Sequence, residues 1–377
     1  MGPVLGISGH GALTITLSGL AVGQTAAIRE SILSSNNGAG LGPALIFSPP
    51  AGSASELVLC ATPDQLKQVA RRISSQGGLL AGLSKKIDSL LDNYTRSDYK
   101  IECRGKILDL GDRTHIMGVL NVTPDSFYDG GRFADERKAL SQARLMADTG
   151  ADIIDIGGES TRPGAEPLTV EEELRRIIPL IERLSKELTV PISVDTYKAV
   201  VAKKALEAGA SIVNDISGLR FSPDMAKVVA DYGAAVIIMH IKGTPRTMQQ
   251  DPVYDDVVGE IIEYLGEGIE IAVKAGVDRE KTLIDPGIGF GKTLEHNLTI
   301  LNRLEEFRAL GRPIVLGTSR KKFIGTILNI PVPEQRVDGT GTTVALGIER
   351  GARVVRVHDV ARMAQVARMT DAIIKAR

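Results

Sequence analysis

Eight short apolar runs in this sequence each end in polar side chains, and these side chains offer the clearest chemistry. Most of them carry carboxylate or amide oxygens. They are Asn121, Asp155, Asp195, Asn214 with Asp215, His240, Asp285, Ser319, and His358 with Asp359. Such acceptors can pair with the N–H donors at the edge of an amino-pyrimidine. One carboxylate in such a place is usually a helix cap or a loop tie, but eight polar ends predict a shared site for a flat heterocycle.

Basic side chains follow three of the same runs and predict a negatively charged substrate. They are Arg162 after the second run, Arg320 and Lys321 after the seventh, and Arg356 and His358 after the eighth. Arg and His donors suit a phosphate ester or a pyrophosphate. For the basic segment 320–322 taken alone, a solvated charge run is the alternative interpretation.

The apolar runs alternate with segments of helical spacing, which is typical of a buried parallel sheet. The predicted strands are His115–Thr123, Asp152–Gly157, Pro191–Thr196, Ser211–Ser217, Ala234–His240, Thr282–Gly287, Pro313–Ser319 and Arg353–Val360. The helical segments include Val170–Glu187, Lys198–Gly209 and Leu294–Leu310, and glycine stands at six expected helix ends, at positions 150, 209, 233, 276, 311 and 351. Eight such units favour an α/β TIM barrel, whose strand ends meet at one mouth. A doubly wound open sheet is the alternative.

The composition changes near residue 100, so we expect two domains. Residues 1–100 predict a small α/β extension in the order β-α-β-β-α, with Thr25–Ser34 as its first helix and Leu83–Tyr94 as a connecting amphipathic helix. Residues 101–377 form the predicted barrel. The extension shows no acid/base cluster. Its role is unknown, and we expect it to be a stabilising appendage or a dimer accessory.

Composition excludes several classes of protein. The 377 residues include 45 Lys and Arg against 46 Asp and Glu, a balance that argues against a dedicated nucleic-acid or membrane-surface binder. No apolar run approaches the roughly 18 residues of a membrane helix. Two cysteines give no disulfide framework and suggest reduced, buried thiols, so we expect a cytoplasmic protein.

The motifs at the strand ends, taken together, resemble the dihydropteroate synthase family over about residues 105–377. The matching segments are NVTPDSF from Asn121, DIGGESTRPG from Asp155, SVDT from Ser193, NDISG from Asn214, Met239-His240, DPGIGFGK from Asp285, Ser319-Arg320-Lys321, and RVHDV from Arg356. The resemblance implies a TIM-barrel transferase of folate biosynthesis, usually a homodimer. Such an enzyme joins 6-hydroxymethyl-7,8-dihydropterin pyrophosphate to p-aminobenzoate, giving 7,8-dihydropteroate and pyrophosphate with the help of Mg²⁺.

The resemblance also implies a role for each matching residue. The pterin-binding set is Asp155, Asp195, Asn214, Met239, Asp285, Lys321 and Arg356. The pyrophosphate set is Asn121, Arg162, Arg356 and His358, with Asn121 also the magnesium ligand. The p-aminobenzoate set is Thr161, Pro163, Phe290 and Lys322. The residues expected to be catalytic are Asp195, Lys321, Arg356 and His358. For Met239 a plain core role remains open, and Lys322 departs from the serine that many family members have there.

The expected mechanism follows from charge. Mg²⁺ and the Arg and His side chains stabilise the departing pyrophosphate, while carboxylates such as Asp195 and Asp285 favour the pterin methylene cation of an SN1-like path. The alternative, a methyltetrahydrofolate–corrinoid methyltransferase, would share the pterin pocket but would not need Lys321 or a pyrophosphate site. A non-catalytic pterin-binding protein is expected to lose loop residues such as Asn121 and Arg162, and both are present.

Overall fold

The computed structural model divides the chain into two compact units. The first comprises Met1–Arg96 with Glu305–Gly311, and the second comprises Ser97–Leu304 with Arg312–Arg377. The structure describes residues 4–8, 13–20, 25, 28, 45–47, 55–75, 78–122, 132–161 and 164–376.

The first unit contains an antiparallel four-stranded sheet and two helices. The elements are β1 (Val4–Ser8), β2 (Leu13–Leu20), β3 (Leu45–Phe47), β4 (Ser55–Ala61), α1 (Pro63–Ser74) and α2 (Gly78–Thr95), with strand order β1-β2-β4-β3. Leu13, Ile15 and Leu17 are buried between half-buried threonines, so one sheet face packs with the helices. Strand β1 is not among the predicted strands, and of the predicted helix Thr25–Ser34 only Thr25 and Ile28 are described, both helical.

The second unit is a closed barrel of eight parallel strands. They are β7 (His115–Asn121), β8 (Ile153–Gly157), β9 (Ile192–Asp195), β10 (Ile212–Asp215), β11 (Ala235–Met239), β12 (Thr282–Asp285), β13 (Ile314–Leu316) and β14 (Ala352–Val357). Each predicted strand is present. Seven of the eight lie within their predicted bounds, and β14 begins one residue earlier than predicted. Because β14 pairs with β7, the sheet closes on itself. The predicted TIM barrel is therefore confirmed, and the open sheet is excluded.

Helices follow the barrel strands and cover them. They are α3 (Arg132–Asp148), α4 (Val170–Glu187), α5 (Ala199–Glu207), α6 (Met225–Asp231), α7 (Val257–Lys274), α8 (Leu294–Asn302), α9 (Lys322–Leu328), α10 (Val337–Glu349) and α11 (Val360–Lys375). The six predicted helix-stop glycines all have positive φ, the conformation for which glycine is favoured. The single helix predicted over Leu294–Leu310 is wrong: Arg303 leaves helical geometry, and the 3₁₀ segment Leu304–Leu310 follows. None of the helices in the described part of the chain combines the length and apolar content of a bilayer span.

A short hairpin fills the end of the barrel opposite the polar strand ends. It consists of β5 (Lys100–Cys103) and β6 (Lys106–Asp109). Its buried side chains, with flanking Tyr99 and Leu110, form one cluster with residues at or near the starts of barrel strands, such as Met117 and Ile153. The hairpin therefore completes the barrel core, and Cys103 is one of its buried groups, whereas Cys60 is half-buried rather than buried as expected.

Two truncations should separate the roles of the first unit and the hairpin. Removing residues 1–96 should leave the activity of the candidate site described below measurable, because every described residue that lines that site belongs to the second unit. Removing residues 1–110 also deletes five core side chains and should lower the melting temperature sharply. Circular dichroism melts and activity of both truncations test this expectation. A folded but inactive chain lacking residues 1–96 would contradict the appendage role.

Candidate active site

The polar strand ends meet at an open cleft with about 330 Å³ of empty space. Eight of the predicted site residues line this cleft: Thr161, Asp195, Asn214, Met239, Asp285, Phe290, Lys321 and Arg356. The other lining residues are Ile216, Gly287, Ile288 and Gly317. A cleft of this composition has apolar walls and a few convergent polar groups, which is the usual character of a small-molecule site.

Arg356 lines the cleft and connects two carboxylates there. Its Nε donates to Asp155 Oδ2 at 2.7 Å, and its Nη2 donates to Asp195 Oδ2 at 2.6 Å. Burial alone would lower the pKa of Arg356, but the charges of Asp155 and Asp195 outweigh burial and raise it. The guanidinium therefore stays cationic and holds both carboxylates in place.

Asp155 lies behind the cleft wall, not among the residues that line it. Its side chain is fully buried, and Asn214 Nδ2 donates to its Oδ2 at 3.2 Å. The same oxygen accepts the Arg356 bond. In this arrangement Asp155 orients Asn214 and Arg356, both of which reach the cleft.

Asp195 presents an unused acceptor. Its Oδ1 is buried and has no hydrogen-bond partner among the described residues. Burial raises the pKa of Asp195 to about 7, against the opposing charge of Arg356. The carboxylate is therefore poised to titrate near neutral pH, as is common for groups at functional sites.

Asp285 is fixed by the backbone that follows it. Its Oδ1 accepts a hydrogen bond from Gly287 N at 2.7 Å. Burial raises the pKa of Asp285, and this hydrogen bond and the charge of nearby Lys321 oppose the rise. Gly287 has φ +68°, and a Cβ there would stand 1.9 Å from the His240 carbonyl oxygen. Only glycine allows this close approach.

Lys321 reaches the cleft from the end of β13. Its Nζ donates to Ile288 O at 2.5 Å and lies 4.3 Å from the centre of the Phe290 ring. Burial lowers the pKa of Lys321 to about 8, and Asp285 opposes this effect. The preceding Arg320 has φ +60° and pairs with Asp359 through two hydrogen bonds of 3.0 and 2.7 Å. Arg320 therefore has a structural role as the partner of Asp359. The alternative interpretation of segment 320–322 as a solvated charge run does not hold for this residue.

Four other predicted residues lie outside the group that lines the cleft or outside the described chain. His358 Nδ1 lies 3.0 Å from Ser319 Oγ, so the ends of β13 and β14 are joined there. Lys322 is exposed in the first turn of α9. Arg162 and Pro163 lie outside the described residues.

Asn121 ends β7 at the same mouth of the barrel. Asn121 is half-buried. Gly157 lies between its amide and Asp195. A Cβ at Gly157 would lie 3.4 Å from Asp195 Cβ and 3.8 Å from Asn121 Oδ1. No cluster of three or more metal-ligating His, Cys, Asp or Glu side chains occurs in the described part of the chain.

A buried ion cluster beside the cleft was not found from the sequence. Lys198 Nζ donates to Glu159 Oε2 at 2.5 Å, to Glu173 Oε2 at 2.6 Å and to Leu168 O at 2.9 Å. Glu159 also accepts from Leu168 N at 3.0 Å. The cluster therefore ties together both sides of the segment that carries Thr161. Glu159 belongs to a quoted motif, but nothing in the local spacing pointed to Lys198 as its partner.

Replacing Lys198 by methionine should destabilise the second unit by about 3 kcal/mol, because two nearly buried carboxylates lose their cation. Urea unfolding at pH 7 measures this change. Lys203→Met, at an exposed position on α5, the helix that Lys198 precedes, is the matched control and should change stability little. Equal stabilities of the two variants would show that the cluster does not hold this part of the fold.

Comparison with known proteins agrees with this geometry. The family model for the pterin binding enzymes matches residues 117–358. The Bacillus subtilis dihydropteroate synthase is 51% identical over 274 residues, which cover 73% of this chain and 93% of that relative. The chain belongs to the dihydropteroate synthase family. The predictions of a pterin-binding barrel and of a folate-pathway transferase are therefore confirmed.

Solved structures of the family extend the agreement to three dimensions. The Clostridium difficile dihydropteroate synthase crystallised with pteroic acid is 51% identical, has a TM-score of 0.67, and covers 71% of this chain and 98% of its own. The Xanthomonas albilineans dihydropteroate synthase in complex with 7,8-dihydropteroate is 42% identical, with a TM-score of 0.66, and the match covers 73% of this chain and 98% of that one. Both matches leave more than a quarter of the present chain uncovered.

Proposed function

We propose that this protein condenses 6-hydroxymethyl-7,8-dihydropterin pyrophosphate with p-aminobenzoate, forming 7,8-dihydropteroate and pyrophosphate. The observation that carries the proposal is the convergence of Asp195, Asn214, Asp285, Lys321 and Arg356 on one cleft. This set combines acceptors for a heterocycle with cations for an anionic leaving group. The pteroic acid and dihydropteroate bound by relatives are ligands of the same chemical type.

In the proposed complex the pterin ring binds in the interior of the cleft. The oxygens of Asn214 and Asp285 accept from the amino-pyrimidine edge, and the Lys321 ammonium donates to ring acceptors. Met239 and Ile216 supply apolar contacts to the ring faces. Asp155 acts from behind the wall, since it orients Asn214 and Arg356.

The chemical step separates charge. The bond between the pterin methylene carbon and the bridging oxygen breaks, and its electron pair leaves with the pyrophosphate. The dihydropterin delocalises the positive charge, and the ionised Asp195 stabilises it electrostatically. The nitrogen lone pair of p-aminobenzoate then forms the new C–N bond, and the resulting ammonium nitrogen loses one proton to solvent. Arg356 faces the cleft and is a donor to the departing diphosphate, and we assign the same role to Arg162 and His358 from the family resemblance.

The donor chemistry at the mouth fits Mg²⁺ bound largely by the substrate. Mg²⁺ is commonly held by one or two protein oxygens together with substrate phosphates. Asn121 offers a neutral amide oxygen at the end of β7, where its strand partner is Gly157. When bound, the ion would neutralise charge on the diphosphate.

Thr161 and Phe290 line the cleft and are assigned to the p-aminobenzoate site. We assign Pro163 to the same site from the resemblance alone. Lys322 is exposed and one residue beyond Lys321, so in our proposal it meets the carboxylate of p-aminobenzoate from the solvent side. Lys322 would take the place of the serine that many family members have at this position.

We further propose a cytoplasmic homodimer. Three successive helices, α9 to α11, expose large apolar side chains: Ile327, Leu328, Leu346, Met369 and Ile373. Exposed apolar groups concentrated on one set of helices favour an interface with a second copy of the chain. Light scattering should give about twice the 40.2 kDa chain mass, and a monomer at micromolar concentration would contradict the dimer.

Pyrophosphate release by the purified protein with Mg²⁺ tests the proposed reaction. Release should require both the dihydropterin pyrophosphate and p-aminobenzoate, and mass spectrometry should detect 7,8-dihydropteroate. Reactions that omit one substrate are the controls. Absence of dihydropteroate with folded protein and both substrates would refute the proposal.

A further inference from the structure

Lys292 is a buried lysine that no proposed step uses. Its side chain is almost fully enclosed, with the residue only 3% exposed, directly after the glycine-rich segment that follows β12. Its Nζ lies 2.8 Å from His240 Nδ1 and donates to Phe290 O at 2.9 Å. Lys292 therefore joins the segment after β12 to the end of β11.

These two segments are in direct backbone contact. A Cβ at Gly287 would meet the His240 carbonyl oxygen, and a Cβ at Gly291 would stand 2.5 Å from Lys242 O. Tyr254 donates its hydroxyl to Gly291 O at 2.7 Å. The glycine-rich segment is thus pressed against its neighbour, and Lys292 fixes the part of it that carries Phe290.

Protonation states are consistent with this tie. Burial lowers the pKa of His240 to about 2, with the charge of Lys292 acting in the same direction, so the imidazole is neutral and its Nδ1 can accept. Burial also lowers the pKa of Lys292 well below its usual range. The Lys292 amine can donate to both of its observed partners, His240 Nδ1 and Phe290 O.

Phe290 transmits the position of Lys292 to the cleft. Its ring lines the cleft and packs against the cluster that contains Ile216 and Met239. The same ring lies under Lys321 Nζ. A shift of the Phe290 backbone would therefore move the aromatic wall assigned to p-aminobenzoate.

We propose that Lys292 is a positioning residue for the aromatic second substrate, which it serves by tying the Phe290 carbonyl to His240. The proposal rests on the proposed synthase function and deepens it. Lys292 does not touch substrate, so its loss should weaken p-aminobenzoate binding and leave the chemical step largely intact.

Steady-state kinetics of Lys292→Met test this role, since methionine keeps the side-chain length without the donors. The KM for p-aminobenzoate should rise about tenfold, in line with the loss of one or two hydrogen bonds. The KM for the dihydropterin pyrophosphate and kcat should change less than about twofold. Lys274→Met, at an exposed position on α7, is the control and should behave as wild type.

A double-mutant cycle shows whether Lys292 acts through Phe290. In a Phe290→Leu background, Lys292→Met should add little to the p-aminobenzoate KM, because the positioned ring is already absent. Multiplicative effects on KM, or a fall in kcat with unchanged KM, would overturn the proposal. If Lys292→Met does not fold, His240→Phe tests the same tie and should give the same selective rise in KM. Inactive wild-type protein would refute the synthase function itself, whereas active wild type with no selective effect refutes only the role of Lys292.

Discussion

Replacing Arg356 by methionine should reduce synthase activity by about 10²–10³-fold, the cost of removing one preorganised donor from developing negative charge. The same change should destabilise the barrel by about 3–5 kcal/mol, because it leaves two carboxylates without their cation. Asp155 is fully buried and Asp195 nearly so, and among the described residues Arg356 is the ion-pair partner of both. Initial rates of pyrophosphate release and urea unfolding at pH 8 measure the two effects.

Two further variants make the Arg356 result specific. Arg356→Lys keeps the charge but loses the planar fork that reaches Asp155 and Asp195 together, so its activity should lie between those of wild type and Arg356→Met. Arg362→Met, at an exposed position on α11, controls for the loss of an arginine. Wild-type turnover in Arg356→Met would contradict the role of this side chain in the reaction.

The pH dependence of kcat/KM for the dihydropterin substrate should be bell-shaped, with limbs near pH 7 and pH 8. The acid limb reflects Asp195, which has a pKa of about 7. Its carboxyl group must lose its proton before it can stabilise the cation. The alkaline limb reflects Lys321, whose pKa of about 8 means that its charge is lost at higher pH. The profile of kcat/KM reports the free enzyme, so these groups should appear in it.

Two variants identify the group responsible for each limb of the pH profile. Asp195→Asn should remove the acid limb and lower kcat, because a neutral amide replaces the carboxylate near the cation. Lys321→Arg should remove the alkaline limb, because arginine stays charged over this range. An acid limb that persists in Asp195→Asn belongs to the substrate diphosphate and would contradict our assignment.

The pKa of Asp195 also predicts the sign of a stability change. The folded state holds the Asp195 proton to higher pH than the unfolded chain, where the pKa is near 3.8. The folded protein therefore binds more protons between about pH 4 and pH 7, and the stability contribution of Asp195 falls as pH rises through this interval. Asp195→Asn should lack this decline, which urea unfolding across the same pH range can show.

The barrel could be predicted because its strands are near-continuous apolar runs with polar ends. The hairpin of β5 and β6 could not. Its strands have four residues each, and its two-residue turn is Arg104-Gly105, both with positive φ. Asn-Gly is the usual signal for such a turn. Arg104 adopts the left-handed conformation here while its guanidinium donates to Leu206 O and Ala210 O, a long-range interaction that the local sequence does not reveal.

The site could be predicted residue by residue, but its internal connections could not. Arg356 and Asp155 are 201 positions apart, so the bond that places Asp155 behind the wall depends on closure of the barrel. The ion pair of Lys198 with Glu159 and the hydrogen bond of Lys292 with His240 likewise join residues that are far apart in the sequence, at the ends of neighbouring strands. Strand-end positions in the sequence reveal which side chains lie at the same mouth of the barrel. Which of these side chains pair with one another depends on side-chain packing across neighbouring strands.

A crystal structure with bound 6-hydroxymethylpterin is the most direct test of the central claim. The amino-pyrimidine edge of the ring should lie within hydrogen-bond distance of Asn214 and Asp285, with its hydroxymethyl group directed toward Arg356. A ring bound elsewhere, or one turned so that this edge faces solvent, would contradict the assignment of the cleft.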